Sequence, residues 1–379
     1  MRVEMVLPSL EVGGMEAMAA ALVRRLQSRG YAVGVTCLVQ VGAIGARLRD
    51  EGVEVRQVGS SGVGELLNPR ALRSHLAGRT PSVIHVHSGA WLKTSRAAAP
   101  LRGVPLVCTI HGFDGVDHNP GGLERMMMRL AARYTAKVVP VSDPLLEYML
   151  RQVGLRARQV EAIPNGVDCC RFRPHRPDRS LRASLGLRED AVLAGTLARL
   201  VPVKDYPTLL RAFSMVAAAL PDSHLVITGD GPLRDELVAL ARMLGLQGRV
   251  HLLGERPDPE DLYPQFDLFV LASRAEGTSM SVLEAMASGA AVVATAVGGT
   301  PALLQGGEAG VLVPPADPQR LAGELIALLR DSARRGALGR IALARARAEY
   351  SLERMVDRYE ELYRRVVAPG AAVLAAETG

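Results

Sequence analysis

The residues best suited to chemistry fall in a few short stretches. In LASRAEGTSMSVLEAMASG, seven residues separate Glu276 from Glu284, with Gly277, Thr278 and Ser279 between them. Carboxylates accept hydrogen bonds from hydroxyls, which makes sugar and ribose their natural partners. The plainer reading is a loop charge and a solvated helix residue, the usual fate of glutamate. Glu284 stands beside Leu283 and Met286 in a small-residue, apolar stretch, which weighs against that reading and leaves the two balanced. Arg199 and Lys204, in ARLVPVKD, could neutralise a diphosphate without a metal, against the alternative of two solvated charges. His111 precedes Gly112 and the turn-rich run FDGVDHNPGG, the kind of loop that holds a reacting centre. His85 and His87 share one side of a strand; packing or hydrogen bonding suits them better than a metal site, since no partner has ligand spacing. Gly13 and Gly14 read either as an ordinary turn or as a place where backbone closely approaches a phosphate.

These residues need strands that end and helices that begin beside them. Apolar runs at 3–7, 32–38, 53–58, 83–86, 106–110, 137–141 and 160–163 alternate with helical patterns, and so do runs at 192–197, 224–228, 250–253, 267–271 and 291–294. Such alternation predicts doubly wound parallel sheets, in which ligands sit outside the carboxyl ends of strands. Gly13-Gly14 then lies between a strand and the helix 15–29, and His111 ends a strand. Glu276 follows the strand that runs out at Ser273. Ser142 is expected to cap the helix that begins DPLLEYML, and Ser351 the last helix, which reaches about Val367. The run CCRFRPHRPDRSLRASLG lacks periodicity and marks a boundary. The domains expected are 1–165, a linker at 166–190, a second domain at 191–350, and a terminal helix at 351–367 returning to the first. The tail APGAAVLAAETG reads as frayed.

At 379 residues, with 48% hydrophobic and 22% charged residues, the chain has the composition of a two-domain globular protein. No apolar run is long enough to span a membrane, and MRVEMVLPSL reads as a strand rather than a leader. Cys37, Cys108, Cys169 and Cys170 have no CxxC spacing and are expected as buried thiols in a reducing compartment, which points to the cytoplasm. Residues 1–165 carry 20 Lys and Arg against 13 Asp and Glu, whereas the remainder is nearly neutral. The first half therefore suits an anionic surface or acceptor. Aromatic residues make up only 4% and no basic stretch is interleaved with them, against nucleic-acid binding. Neither GxGxxG, a Walker loop nor a DxD triplet occurs.

In this order and spacing, Gly13-Gly14, ARLVPVKD, GDGPLR and EGTSMSVLEAMASG resemble the retaining glycosyltransferases of family 4 over nearly the whole chain. Within them the chain is similar to bacterial enzymes of exopolysaccharide assembly. The resemblance implies an α/β GT-B fold, two Rossmann-like doubly wound domains facing across a cleft. It also implies a donor-sugar substrate, UDP- or GDP-linked, with no cofactor and no metal. By the same resemblance Gly13 and Gly14 would face the donor's diphosphate and His111 would contact the transferred sugar. Arg199 and Lys204 would hold the diphosphate, and Glu276 would bind sugar hydroxyls. Glu284 would take the nucleotide ribose, with backbone N–H groups around Gly277, Thr278 and Ser279 completing the phosphate site. Many relatives have glycine where Ala198 precedes Arg199, a small change. The acceptor would be a glycan, lipid-linked or small-molecule hydroxyl in cell-surface polysaccharide synthesis.

Two other readings share the fold: a nucleotide-sugar epimerase, and a catalytically silent partner of an active transferase. The presence of both glutamates with His111, Arg199 and Lys204 argues against the silent partner. Finally, Arg125, Arg129 and Arg133 recur every four residues beside Met126, Met127, Met128, Leu130 and Tyr134. That pattern reads either as a solvated face or as a basic amphipathic helix on the inner membrane face, making the enzyme peripheral there.

Overall fold

The computed structural model describes residues 1–11, 13–58, 69–101, 103–112, 121–175 and 180–368. Residues 113–120, most of the loop after His111, lie outside the described residues. So do 176–179 of the expected linker and 369–379 of the expected frayed tail.

The described residues form two compact units. One holds the chain up to Gly112, then 121–166 and the helix Leu352–Val367; the other holds Val167–Ser351. The stretch expected as a linker is largely part of the second unit. Phe172 and Leu181 are buried there, and Arg182 bonds Ala191 O, Gln265 O and the Asp267 carboxylate.

The first unit carries β1 (Arg2–Ser9), β2 (Ala32–Gln40), β3 (Glu54–Gln57), β4 (Val83–His87), β5 (Leu106–Ile110) and β6 (Lys137–Pro140). Their order is β3-β2-β1-β4-β5-β6, and every pairing is parallel. The second carries β7 (Val192–Leu197), β8 (Ser223–Thr228), β9 (Val250–Gly254), β10 (Leu268–Leu271), β11 (Val292–Thr295) and β12 (Val311–Val313), again all parallel, in the order β12-β11-β10-β7-β8-β9. Each is a doubly wound sheet with a topological switch point, at β1/β4 in the first unit and at β7/β10 in the second.

Parallel strands buried on both faces read as continuous apolar runs because helices cover both sides. In the second unit, Leu225 and Ile227 of β8 and Leu268 and Val270 of β10 join the core that holds the helix Tyr206–Ala219. Val226, Phe269 and Leu271 point the other way, into the core that holds the helix Met280–Ala287.

Some local expectations fail for identifiable reasons. Residues 160–163 do not form a strand: one bridge joins Val160 to Val138, with bonds from Glu161 N to Val138 O and Ile163 N to Pro140 O. The next bond of a parallel ladder would come from the Pro140 nitrogen, which has no hydrogen. Ser142 occupies the N-cap position of the helix Asp143–Arg151, yet its hydroxyl makes no cap bond and is buried without a partner among the described residues. Of the cysteines, Cys37 and Cys108 are buried, but Cys169 is only partly so and Cys170 is exposed, because both follow the domain boundary rather than entering a sheet.

Candidate active site

In the second unit the chemistry gathers at the switch point. β7 and β10 are hydrogen-bonded neighbours, and their following loops depart to helices on opposite faces of the sheet. The loop after β7 carries Arg199 and Lys204; the loop after β10 carries Glu276. Lys204 Nζ donates to Glu276 Oε1 at 2.6 Å, and the Ser273 hydroxyl donates to the same oxygen at 2.6 Å. The side chains are 18% and 9% exposed, so the pair is shielded from screening by water. Glu276 Oε2 takes no bond from a described residue. Arg199 is exposed, and its side chain has no hydrogen bond or ion pair with a described residue.

Backbone contacts hold the two loops in register. Arg274 N bonds Val203 O at 2.8 Å, tying the Glu276 loop to the Lys204 loop. Asp205 adopts a left-handed conformation (φ 46°) that asparagine and aspartate tolerate better than most residues, and its carboxylate caps the next helix by accepting from Thr208 N. The buried Tyr206 donates its hydroxyl to Ala198 O at 2.9 Å, fixing the backbone just before Arg199.

Two glycines that were not among the expected site residues complete this frame. Gly298 has φ +52°, and a Cβ there would lie 1.7 Å from Glu276 O. Its neighbour Gly299 donates to Gly277 O. In the turn GDGPLR, Gly229 has φ +129°, and a Cβ would lie 2.1 Å from Ala198 O. Both let a third stretch of backbone pack against the loops bearing Glu276 and Arg199. The available signal was glycine at strand ends.

Ser279 is the N-cap of the helix Met280–Ala287 and makes no side-chain cap bond. Ser279 and Thr278 are buried. The first N–H groups of such a helix have no intrahelical acceptor and suit an anion. Glu284, on the second turn, accepts from the Tyr263 hydroxyl at 2.7 Å. Burial disfavours its charge and raises its pKa to about 7, against the lowering pull of Tyr263 and Arg171. The spacing that put Glu276 and Glu284 near one helix start is thus realised with different partners: a lysine and a serine for one, a tyrosine for the other.

In the first unit the strand ends are furnished with rings. His87 Nδ1 and His111 Nε2 are 2.8 Å apart, and the two rings stack. His85, on the same side of β4, bonds the Tyr363 hydroxyl (2.6 Å) and Thr109 Oγ1 (2.7 Å), and Thr109 bonds the Tyr359 hydroxyl. Both tyrosines come from the helix Leu352–Val367, so the last helix packs onto these histidines. Burial pushes the pKa of His85 and His111 down to about 3, and that of His87 well below its ordinary value. All three are therefore neutral at pH 7. His111 Nδ1 and His87 Nε2 are buried with no partner among the described residues. Gly13 is the extended N-cap and Gly14 the first residue of the helix Gly14–Ser28, which follows β1. The Glu16 carboxylate lies over Gly13.

The stripe at 125–133 also has a definite disposition. The helix Gly122–Ala132 stops before Arg133. Arg129 Nε donates to Val153 O, and Arg125 stands beside the Tyr148 hydroxyl. The large apolar side chains left exposed are Leu123, Met126, Leu130 and Tyr134, at 67%, 57%, 44% and 49%, and Arg129 and Arg133 are exposed beside them. No helix among the described residues is long and apolar enough to cross a membrane.

Comparison with known proteins places this architecture. Residues 12–171 match the model of Glycosyltransferase Family 4, and residues 177–345 that of Glycosyl transferases group 1. D-inositol 3-phosphate glycosyltransferase 1 of Catenulispora acidiphila is 33% identical over 351 residues, covering 84% of this chain and 82% of its own. N-acetyl-alpha-D-glucosaminyl L-malate synthase of Bacillus anthracis is 26% identical, covering 69% and 68%. Among solved structures, Anabaena HepE in complex with UDP and glucose aligns with a TM-score of 0.85 at 23% identity, over 96% of this chain and 100% of that one. Two doubly wound parallel sheets, both family models and these relatives agree: the chain belongs to glycosyltransferase family 4 and is a glycosyltransferase of the GT-B fold.

Proposed function

We propose that the chain is a retaining, metal-independent transferase that moves a sugar from a nucleotide-diphosphate sugar to an acceptor hydroxyl. The observation that carries this reading is the shielded Lys204–Glu276 pair at the β7/β10 switch point, beside the start of the helix Met280–Ala287. Lys204 uses one of its three donors on Glu276 and keeps the others for a diphosphate oxygen, with Arg199 and the helix N–H groups alongside. These fixed positive groups stabilise the charge that grows on the leaving diphosphate, the task a metal performs elsewhere. Glu276 Oε2 accepts from the hydroxyls of the transferred sugar, and Glu284 from those of the ribose. In the first unit, His111, whose Nδ1 has no partner among the described residues, is the group assigned to the transferred sugar, and Gly13 and Gly14 are assigned to the diphosphate. The acceptor attacks the face from which the diphosphate leaves, and a leaving phosphate oxygen takes its proton.

UDP is the favoured donor base over GDP, because HepE, of the same fold, was solved with UDP and with UDP-glucose. The relatives' names point to a small hydroxylated acceptor such as an inositol phosphate or a hydroxy acid, and one galactosyltransferase relative from Escherichia coli acts on a diphosphoundecaprenol-linked sugar. A part in cell-surface polysaccharide synthesis at the cytoplasmic face accords with the last of these. For a membrane station, the apolar stripe Leu123, Met126, Leu130 is the contacting face and the arginines its flank. Leu123→Ser with Met126→Ser should then release the enzyme from anionic vesicles more than Arg129→Gln does.

Assay with a UDP-sugar in excess EDTA tests the central claim. Turnover should persist, and proton NMR of the product should show the donor's anomeric configuration. Complete loss that added metal reverses would remove Arg199 and Lys204 from the role of diphosphate clamp.

A further inference from the structure

On the first unit, away from the strand ends just described, Pro69, Arg70, Arg73, Arg96, Ala99, Pro100 and Tyr134 line a concavity of about 640 Å³. Three guanidiniums and a phenol share it, and no carboxylate lines it among the described residues. Arg70 and Arg73 come from successive turns of the helix Arg70–Arg79, and Arg96 from the helix Trp91–Ala98. Arg73 Nε is buried and finds no acceptor among the described residues. A guanidinium has five donors, so an arginine already held by one neighbour still has a fork to offer another group. Three such forks with a phenolic hydroxyl match the several oxygens of a phosphate, each arginine binding two oxygens at once.

The site is distinct from the one used for transfer. Pro100 and Tyr134 stand ahead of the amino ends of β5 and β6, whereas His111 follows the carboxyl end of β5. A five-residue strand separates those ends by about 16 Å. We propose that this arginine pocket is a second anion site, which takes the phosphate of a phosphorylated ligand. The proposal does not depend on the donor or acceptor named above. Tyr134 also ends the exposed stripe of Leu123, Met126 and Leu130, so the phosphate has two possible sources: a soluble phosphorylated compound or a lipid headgroup whose chains cover that stripe.

The test compares the full-length protein with Arg73→Gln/Arg96→Gln, and with Arg70→Gln, which alters only an exposed side chain should the double variant not fold. Calorimetric titration with inorganic pyrophosphate reads the soluble source; any binding at the diphosphate clamp is common to all variants. Sedimentation with phosphatidic acid vesicles against phosphatidylcholine vesicles reads the lipid source. The charge-matched Arg151→Gln/Arg158→Gln controls for net charge. Trp91, the single tryptophan, gives an optical signal, since it donates to Thr135, the neighbour of Tyr134. A binding event weakened at least tenfold in the pocket variants, but not in the control, supports the site, and the responding probe names its source. Equal binding by wild type and pocket variants in both arms, or equal weakening in the control, overturns it.

Discussion

The two units share a strand order and a parallel sheet but furnish their strand ends with opposite chemistry. In the first, three histidines and two tyrosines meet as uncharged rings, all buried but the half-buried His111; hydrogen bonds join His85 to Tyr363 and, through Thr109, to Tyr359, and His87 to His111, while His85 stacks on His87. In the second, a lysine, a carboxylate and an exposed arginine stand ready as charges. A sugar ring presents hydroxyls and no charge, whereas a diphosphate is an anion. Under the proposed function, neutral donors and acceptors would serve the one without a desolvation penalty for charge, and fixed cations the other. The doubly wound frame is indifferent to this choice, because it delivers loops to a switch point and the loop residues decide what is bound there.

Removing a charge from the second unit should have the largest effect. Glu276→Gln deprives Lys204 of its partner and the proposed sugar hydroxyls of their acceptor. Turnover should fall by roughly 10²–10³, the range seen when one positioned polar group is lost from a reacting centre. Nucleotide affinity should change only a few-fold, as the proposed function sets this residue against the sugar and not against the base or diphosphate. Steady-state turnover measured beside UDP affinity checks the split, and equal losses in both would place Glu276 on the nucleotide rather than the sugar.

The neutral cluster should be broken by acid instead. For a histidine the folded pKa of about 3 lies below the ordinary 6.5, so the unfolded chain binds the proton first. The stability each contributes is whole above pH 6.5 and is lost as pH falls toward 3, by up to about 1.4 kcal/mol per pH unit per histidine. Thermal melts from pH 7 to pH 4 should show the first unit failing, reported by Trp91. His85→Phe, which also loses bonds to Tyr363 and Thr109, should lower the melting temperature at pH 7 yet flatten the acid slope. A slope unchanged in that variant would mean that His85 is already protonated in the fold.

The sequence made the strand-loop-helix units plain, since buried parallel strands and amphipathic helices have distinct periods. It also put Lys204 and Glu276 at strand ends. Their direct bond could not be read, because the two lie 72 positions apart and only the strand order makes β7 and β10 neighbours. Distance along the chain likewise hid the bond from Tyr363 to His85 and that from Tyr263 to Glu284. Gly298 was hidden for another reason: its role depends on a carbonyl reached only after folding. Gly298→Ala should therefore cost about 2–4 kcal/mol, combining left-handed strain with displacement of Glu276 O, and should reduce turnover with it. Chemical denaturation checks the loss, and a loss below about 0.5 kcal/mol would show that the Glu276 loop yields freely.

Glu284 crosses the divide between the units, being a carboxyl of the charged site held partly neutral by burial. Its folded pKa of about 7 lies above the ordinary 4.5, so the folded chain keeps a proton that the unfolded chain has released. The stability it contributes is full below pH 4.5 and is lost as pH rises through 7. Glu284→Gln keeps a neutral side chain at every pH and should thus gain stability relative to wild type between pH 5 and 8, by about 1–3 kcal/mol. Nucleotide binding should respond in the opposite sense. Ribose hydroxyls that donate to Glu284 favour its ionised form, so binding expels the proton and UDP affinity should rise as pH passes 7. Below that point affinity should fall by up to about tenfold per pH unit, one proton being released per UDP bound. The Gln variant, with no proton to release, should bind UDP more weakly and without this slope. Calorimetry in buffers of different ionisation enthalpy counts the protons directly. Zero release by wild type at pH 6.5 would show that Glu284 stays protonated against the ribose, or does not touch it.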